Sequence, residues 1–198
     1  MTTTENLDRL RAKAEGGDAD AQFALALLYD NADGVPRDPV AAANLYRFAA
    51  EQSHALAQFH LGLMLNAGDV GFERDDADAA NWFRRAAEQG LADAQFNLGL
   101  MYYTGEGVEH DDEVAFRWFD SAAAQGHAKA QFNLGALYAN GHGVAADLAE
   151  CYRLWLVASM QGEPNAHANL GMMRDKISTK EAEEAQVAAV NWTNQLST

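Results

Sequence analysis

The side chains with chemical potential in this 198-residue chain are few: six histidines, one cysteine and a set of recurring aspartates. The histidines are His54, His60, His110, His127, His142 and His167. None falls into a His-Glu-x-x-His pattern, and no Cys-x-x-Cys occurs, so zinc and dithiol chemistry have no motif to stand on. His110 and His142 lie one repeat apart in loops and could approach each other, but two histidines without further ligands make a poor metal site. Cys151 has no patterned histidine partner and reads as a buried, inert thiol. Gly-x-Gly-Val occurs at Gly105–Val108 and Gly141–Val144 without a preceding strand, a third glycine or a Gly-Lys-Ser/Thr, so a phosphate cradle is not indicated. Catalytic, cofactor and metal residues are therefore not expected, and the chain reads as a non-enzyme.

The elements that carry these residues repeat. The tripeptide Ala-Gln-Phe occurs at Ala21–Phe23, Ala57–Phe59, Ala94–Phe96 and Ala130–Phe132, at intervals of 36, 37 and 36. A degraded copy, Ala166-His167-Ala168, follows after another 36. A fixed period of this size marks stacked helix pairs. Leu25, Leu61, Leu98, Leu134 and Leu170 share one position of the first helix. The next position is always small: Ala26, Gly62, Gly99, Gly135 and Gly171. Glycine inside a helix costs about 1 kcal/mol against alanine, so its recurrence predicts a close helix approach. Tyr29, Leu65, Tyr102 and Tyr138 complete the buried face at i, i+4 spacing.

Gly34-Val35, Gly71-Phe72, Gly107-Val108 and Gly143-Val144 predict the turn within each pair. Asp38, Asp75, Asp111 and Asp147 then sit where helix N-caps belong, with Pro39 at a first helical position. In the second helix, Leu45, Trp82, Trp118 and Leu154, followed by Tyr46, Phe83, Phe119 and Trp155, are expected in the core beside Ala49, Ala86, Ala122 and Ala158. Gln52-Ser53, Gln89-Gly90, Gln125-Gly126 and Gln161-Gly162 close the pairs, glycine suiting a left-handed C-cap. Residues 7–15 match only a second helix, a half repeat. At the other end Ser178 and Glu181 have capping-box spacing, and Lys180, Glu181, Glu183 and Glu184 predict a polar outer face for the last helix.

Composition narrows the partners. The net charge of −15 repels phosphate backbones and anionic bilayers, which argues against nucleic acid and suits a large hydrated surface or a basic partner. Hydrophobic residues make up 48% of the chain, too many for disorder. The single cysteine allows no internal disulfide, and the polar start Met1–Asn6 lacks the charged and apolar regions of a signal peptide, so a cytoplasmic location is expected. No stretch has the roughly 18 apolar residues of a membrane span.

The ordered set Ala-Gln-Phe-Asn-Leu-Gly-x-x-Tyr, Gly-x-Gly-Val, an Asp, Trp-Phe and Ala-Ala-x-Gln-Gly resembles the Sel-1-like repeat (SLR) family, a relative of the tetratricopeptide repeats. Ala94–Tyr102 and Trp82–Gly90 carry the resemblance most closely, and it extends from about residue 7 to 175. The second unit departs by an extra residue around Asp69-Val70-Gly71. The resemblance implies an all-α fold, a right-handed α/α solenoid of stacked antiparallel helix pairs. The expected organisation is one array over 1–198: a half repeat at 1–18, repeats at 19–54, 55–91, 92–127 and 128–163, and a degenerate repeat with a closing helix at 164–198. It also implies an adaptor or scaffold that needs no cofactor.

By analogy with tetratricopeptide folds, the first helices should line a concave side. Phe23, Phe59, Phe96 and Phe132 would face inward at one offset, and Leu27, Leu63, Leu100 and Ala136 at another. Beside them run Ala24, His60, Asn97, Asn133 and Asn169, amides that can bond a peptide backbone without reading its sequence. Tyr103, with Asp30, Asn66 and Ala139, holds a position suited to tuning specificity. The candidate peptide-binding residues are thus Phe59, His60, Leu63, Phe96, Asn97, Leu100, Tyr103, Phe132, Asn133 and Asn169. The same residues also suit packing, with phenylalanine wedged between repeats and asparagine bonded to a neighbouring backbone, and the sequence leaves both roles open. The leading expectation is a monomeric or weakly self-associating protein that binds a peptide or protein segment. The alternative is an assembly protein that self-associates through its ends or outer surface.

Overall fold

A computed structural model describes residues 3–68 and 73–196. Among them lie eleven helices and no strand: α1 (Thr3–Glu15), α2 (Ala19–Asn31), α3 (Pro39–Glu51), α4 (Ala55–Ala67), α5 (Asp76–Glu88), α6 (Ala92–Thr104), α7 (Asp112–Ala124), α8 (Ala128–Asn140), α9 (Leu148–Met160), α10 (Pro164–Arg174) and α11 (Thr179–Leu196). The predicted turn at Gly71-Phe72 and the extra residue of the second repeat lie outside the described residues. The helices fall into two compact units. One runs to Ala94 and includes Glu106–Val108; the other comprises Gln95–Gly105 and the chain from Glu109 onward.

In the first unit α2 packs on α3, α3 on α4 and α4 on α5, with α1 against α2. Aspartates start the second helices as their spacing predicts: Asp38 and Asp75 accept from the backbone N–H groups of Ala41 and Asp78, each at 2.9 Å. Pro39 occupies the first turn, where its missing N–H costs nothing. The buried stripe of α3 is Ala42, Ala43, Tyr46, Ala49 and Ala50; that of α5 is Ala79, Ala80, Phe83, Ala86 and Ala87. One large ring among alanines lets two helices approach closely while the ring fills the space between them.

The small position of the first helix has that ring as its reason. A Cβ on Gly62 would stand 2.7 Å from the Phe83 ring. The ring position, however, is one residue later than the tryptophans. Tyr46 and Phe83 are fully buried, whereas Leu45 and Trp82 are only half-buried. One residue is about 100° of helix rotation, which swings Trp82 to the margin. There its ring lies under the Arg85 guanidinium, 4.6 Å from the centroid, and its N–H reaches Asp78 at 3.3 Å.

The second unit repeats this plan. Asp111 and Asp147 cap α7 and α9. Phe119 and Trp155 take the ring position against Gly99 and Gly135. Gly143, at φ +68°, comes so close to the start of α7 that a Cβ would overlap the Asp112 carbonyl. Trp118 is half-buried, like Trp82.

The last repeat departs from the pattern. Nothing approaches Gly171, and α10 ends at Asp175 in right-handed geometry, without the left-handed cap of α2, α4 and α8. Ser178 and Glu181 exchange the two bonds of a capping box, at 2.7 and 3.2 Å. α11 packs on α9 through Ala182, Ala185 and Ala189. Its outward side is polar only in its first half: Val187 and Val190 are exposed beside Met160 of α9.

Candidate functional site

Each unit presents its first helices, and the phenylalanines of Ala-Gln-Phe are set between helices rather than standing free. In the first unit Phe23 stacks on His54 at 4.6 Å and tilts against Tyr46 and His60. Phe59 lies against Phe83 at 5.8 Å. In the second unit Phe96 stacks on His127 at 4.6 Å and leans on Phe119, and Phe132 stacks on Trp155. The Trp155 indole N–H also donates to the Phe132 carbonyl at 2.9 Å. All four phenylalanines are half-buried, so each keeps one side open.

The amide row is likewise half-buried. His60 stacks almost parallel on Tyr46 at 4.9 Å, and burial lowers its basicity, opposed by the negative charge of Asp30. Asn133 donates to the Lys129 carbonyl of its own helix at 2.8 Å, so the bond runs along α8 and not to a neighbouring helix. Asn97 and Asn169 hold the equivalent positions on α6 and α10. Leu100 packs on the core of the second unit. The most open candidates are Leu63 and Tyr103, 37% and 36% exposed. Asn66 is drawn into a bond to Asp76 at 2.9 Å, where Arg74 also forks onto the same carboxylate and holds its pKa below the usual range.

Two systems escaped the sequence reading. The glutamine of Ala-Gln-Phe is buried, and it links repeats. Gln58 donates to the Ala50 carbonyl at the end of α3 at 3.0 Å and accepts from Gln89 of α5 at 2.8 Å. Gln22 relates in the same way to Ala14 and Gln52, and Gln131 to Ala123 and Gln161. The signal was present: a second glutamine recurs 30 or 31 residues after the first. The histidines at the repeat junctions are the other case. His54 and His127 are N-caps, accepting through Nδ1 from Ala57 and Ala130 at 3.1 Å.

The loop histidines are held apart from any ligand set. His110 Nδ1 lies 3.1 Å from the Tyr102 carbonyl and its Nε2 is 3.5 Å from Asp112, while His142 lies beside the Tyr103 ring. Among the described residues no three His, Cys, Asp or Glu side chains are placed to hold a metal ion. Cys151 is fully buried, and burial pushes its thiol up to about 12. No described helix is long and apolar enough to cross a membrane.

A family model described as Sel1 repeat matches residues 19–54, 55–91, 92–127 and 128–163. Among solved structures, the chain is similar to a protective antigen present in uropathogenic Escherichia coli strains, described as displaying an SLR fold. The match has 33% identity and a TM-score of 0.87, covering 98% of this chain and 41% of the antigen. It is also similar to a Sel1 repeat protein from Oxalobacter formigenes, with 30% identity, a TM-score of 0.77, and 96% and 75% of the two chains covered. An immunity protein from Pseudomonas aeruginosa shares the fold at 21% identity and a TM-score of 0.51, with 96% and 73% covered. The chain thus spans less than half of the antigen's length. A comparison with curated proteins finds no match.

Proposed function

We infer that this chain, which belongs to the Sel1 repeat family, is a non-catalytic adaptor that holds a peptide or protein segment on the face of its first helices. Sel1 repeats are in general protein–protein interaction modules. The observation that carries the reading is the exposure, on the first helices of each unit taken by itself, of Leu63 with half-buried Phe59 and His60 in the first, and of Tyr103 with half-buried Leu100 in the second. Apolar anchors next to a row of polar acceptors are what an extended segment needs: side-chain burial for affinity and backbone bonding for register. The acidity of the chain favours a basic partner and disfavours nucleic acid.

A photo-crosslinking residue placed at Leu63 or at Tyr103, with one at the exposed Glu88 as control, tests the face in native extract. The reading expects one recurrent protein at the first two positions, lost in Leu63→Glu and Tyr103→Glu. Equal products at Glu88 would count against it.

One observation favours a second reading, self-association. Leu156 and Met160 of α9 and Val187 and Val190 of α11 line an apolar groove of about 460 Å³. A sedimentation profile that stays monomeric to high concentration, unchanged in Val187→Asp, removes this reading.

A further inference from the structure

In the second unit α11 packs on α9, and Trp192 of α11 lines a small cavity together with residues of α7, α8 and α9. The cavity holds about 110 Å³. Its lining includes Leu134, Leu154 and Val157, the polar Asp120, Glu150 and Arg153, and Trp192. At roughly 30 Å³ per water, the space suits a flat group of a few heavy atoms.

Its charges are unbalanced. Arg153 donates to Glu150 through Nε at 2.8 Å and again through Nη2, so this pair is satisfied within α9. Asp120, on α7, is exposed and adds a charge that this pair does not balance; partial desolvation and the neighbouring Glu150 both raise its pKa. An adjoining hollow adds Asp147, Glu181 and Glu184 around the same Glu150 and Arg153. Of these, Asp147 and Glu181 accept from backbone N–H groups and Glu184 pairs with Lys180, so the charge left over at the cavity itself is that of Asp120. An unbalanced carboxylate beside an indole in a partly enclosed space attracts cations by charge and by the ring quadrupole together. A planar guanidinium meets both, stacking on the indole and forking onto a carboxylate, where an ammonium is a point charge that prefers water.

We propose that the cavity bounded by Asp120, Glu150 and Trp192 is a guanidinium receptor, filled by an arginine side chain of a partner or by a free guanidino compound. It shares no lining residue with the first-helix candidates and does not depend on them.

The test is a titration of the full chain with N-acetylarginine methylamide, followed by NMR at the Trp192 indole N–H, assigned by its loss in Trp192→Leu. The citrulline analogue, equal in shape and uncharged, is the control. The proposal expects a saturable shift with arginine and none with citrulline, and an affinity at least about tenfold weaker in Asp120→Asn, the loss expected of a charge-assisted bond. An equal response to citrulline, no response to arginine, or unchanged affinity in Asp120→Asn would overturn it. The citrulline comparison uses the unaltered protein, so it decides even if a variant folds poorly. A Gly-Arg-Gly peptide separates the sources: tighter binding than the single residue assigns the arginine to a partner chain, and equal or weaker binding assigns a free compound.

Discussion

Gly99 of α6 lies directly beneath the ring of Phe119 of α7, with room for a hydrogen and nothing larger: a Cβ there would stand 2.8 Å from the ring carbons. Phe119 is fully buried, so its ring has nowhere to withdraw. The helix gains about 1 kcal/mol from alanine in place of glycine, and overpacking costs about 1–3 kcal/mol. Gly99→Ala is therefore expected to lower the midpoint of urea unfolding, and Phe119→Leu in the same chain to recover part of the loss. Gly171, with nothing within reach, is the control: Gly171→Ala should leave stability unchanged or raise it.

The glutamine links make an ordered prediction. Gln131 is buried and serves both the Ala123 carbonyl and the Gln161 amide, whereas Gln161 is exposed. Gln131→Leu removes two bonds from a buried site and leaves the Ala123 carbonyl with the Gly126 N–H alone, at about 1–3 kcal/mol. Gln161→Ala removes only the part-buried bond to Gln131 Oε1 and leaves Gln131 on the Ala123 carbonyl, at about 1 kcal/mol. Denaturant midpoints should fall in that order.

His60 should make the first unit sensitive to mild acid. Burial holds its pKa below 6.5 in the folded chain, so between that lowered value and 6.5 the unfolded chain binds more protons. Stability is then complete above about pH 6.5 and declines as pH falls through this window. His60→Gln should flatten the decline. The check is unfolding free energy between pH 5 and 8 for both proteins; parallel curves would refute the assignment.

Cys151 should ignore thiol reagents. Its side chain is buried and its pKa is pushed up to about 12, so little thiolate exists at neutral pH and no reagent reaches it. Labelling by a thiol-reactive dye should proceed only as fast as the second unit opens, and should become rapid in urea.

Junction histidines should be replaceable by other caps. His127→Asp keeps an acceptor for the Ala130 N–H, while His127→Ala removes it and should cost about 1 kcal/mol. Both lose the stacking on Phe96, so the difference between the two variants reports the cap bond together with the aspartate's charge at the helix start.

The local structure was legible in the residues themselves. The aspartates cap α3, α5, α7 and α9, the box of Ser178 and Glu181 opens α11, and Ser53 and Gly90 take the left-handed conformation where the pairs end. These features rest on hydrogen bonds and dihedral preferences spanning a few residues, and a 36-residue repeat displays each of them several times over. The helix class and the Sel1 repeat framework follow from them.

Which of two adjacent aromatics fills the core was a tertiary matter. Trp82 and Phe83 carry the same apolar signal, and only the depth of the Gly62 hollow admits the ring of Phe83 and turns Trp82 toward Arg85 and Asp78. The glutamine links, the open sides of Leu63 and Tyr103, and the meeting of Asp120 with Trp192 were decided the same way. Period and pattern state what a residue is and which helix bears it. Separations of 30 to 72 positions become contacts only when helices have packed, because side-chain shape and not local preference sets how far apart and at what rotation they come to rest.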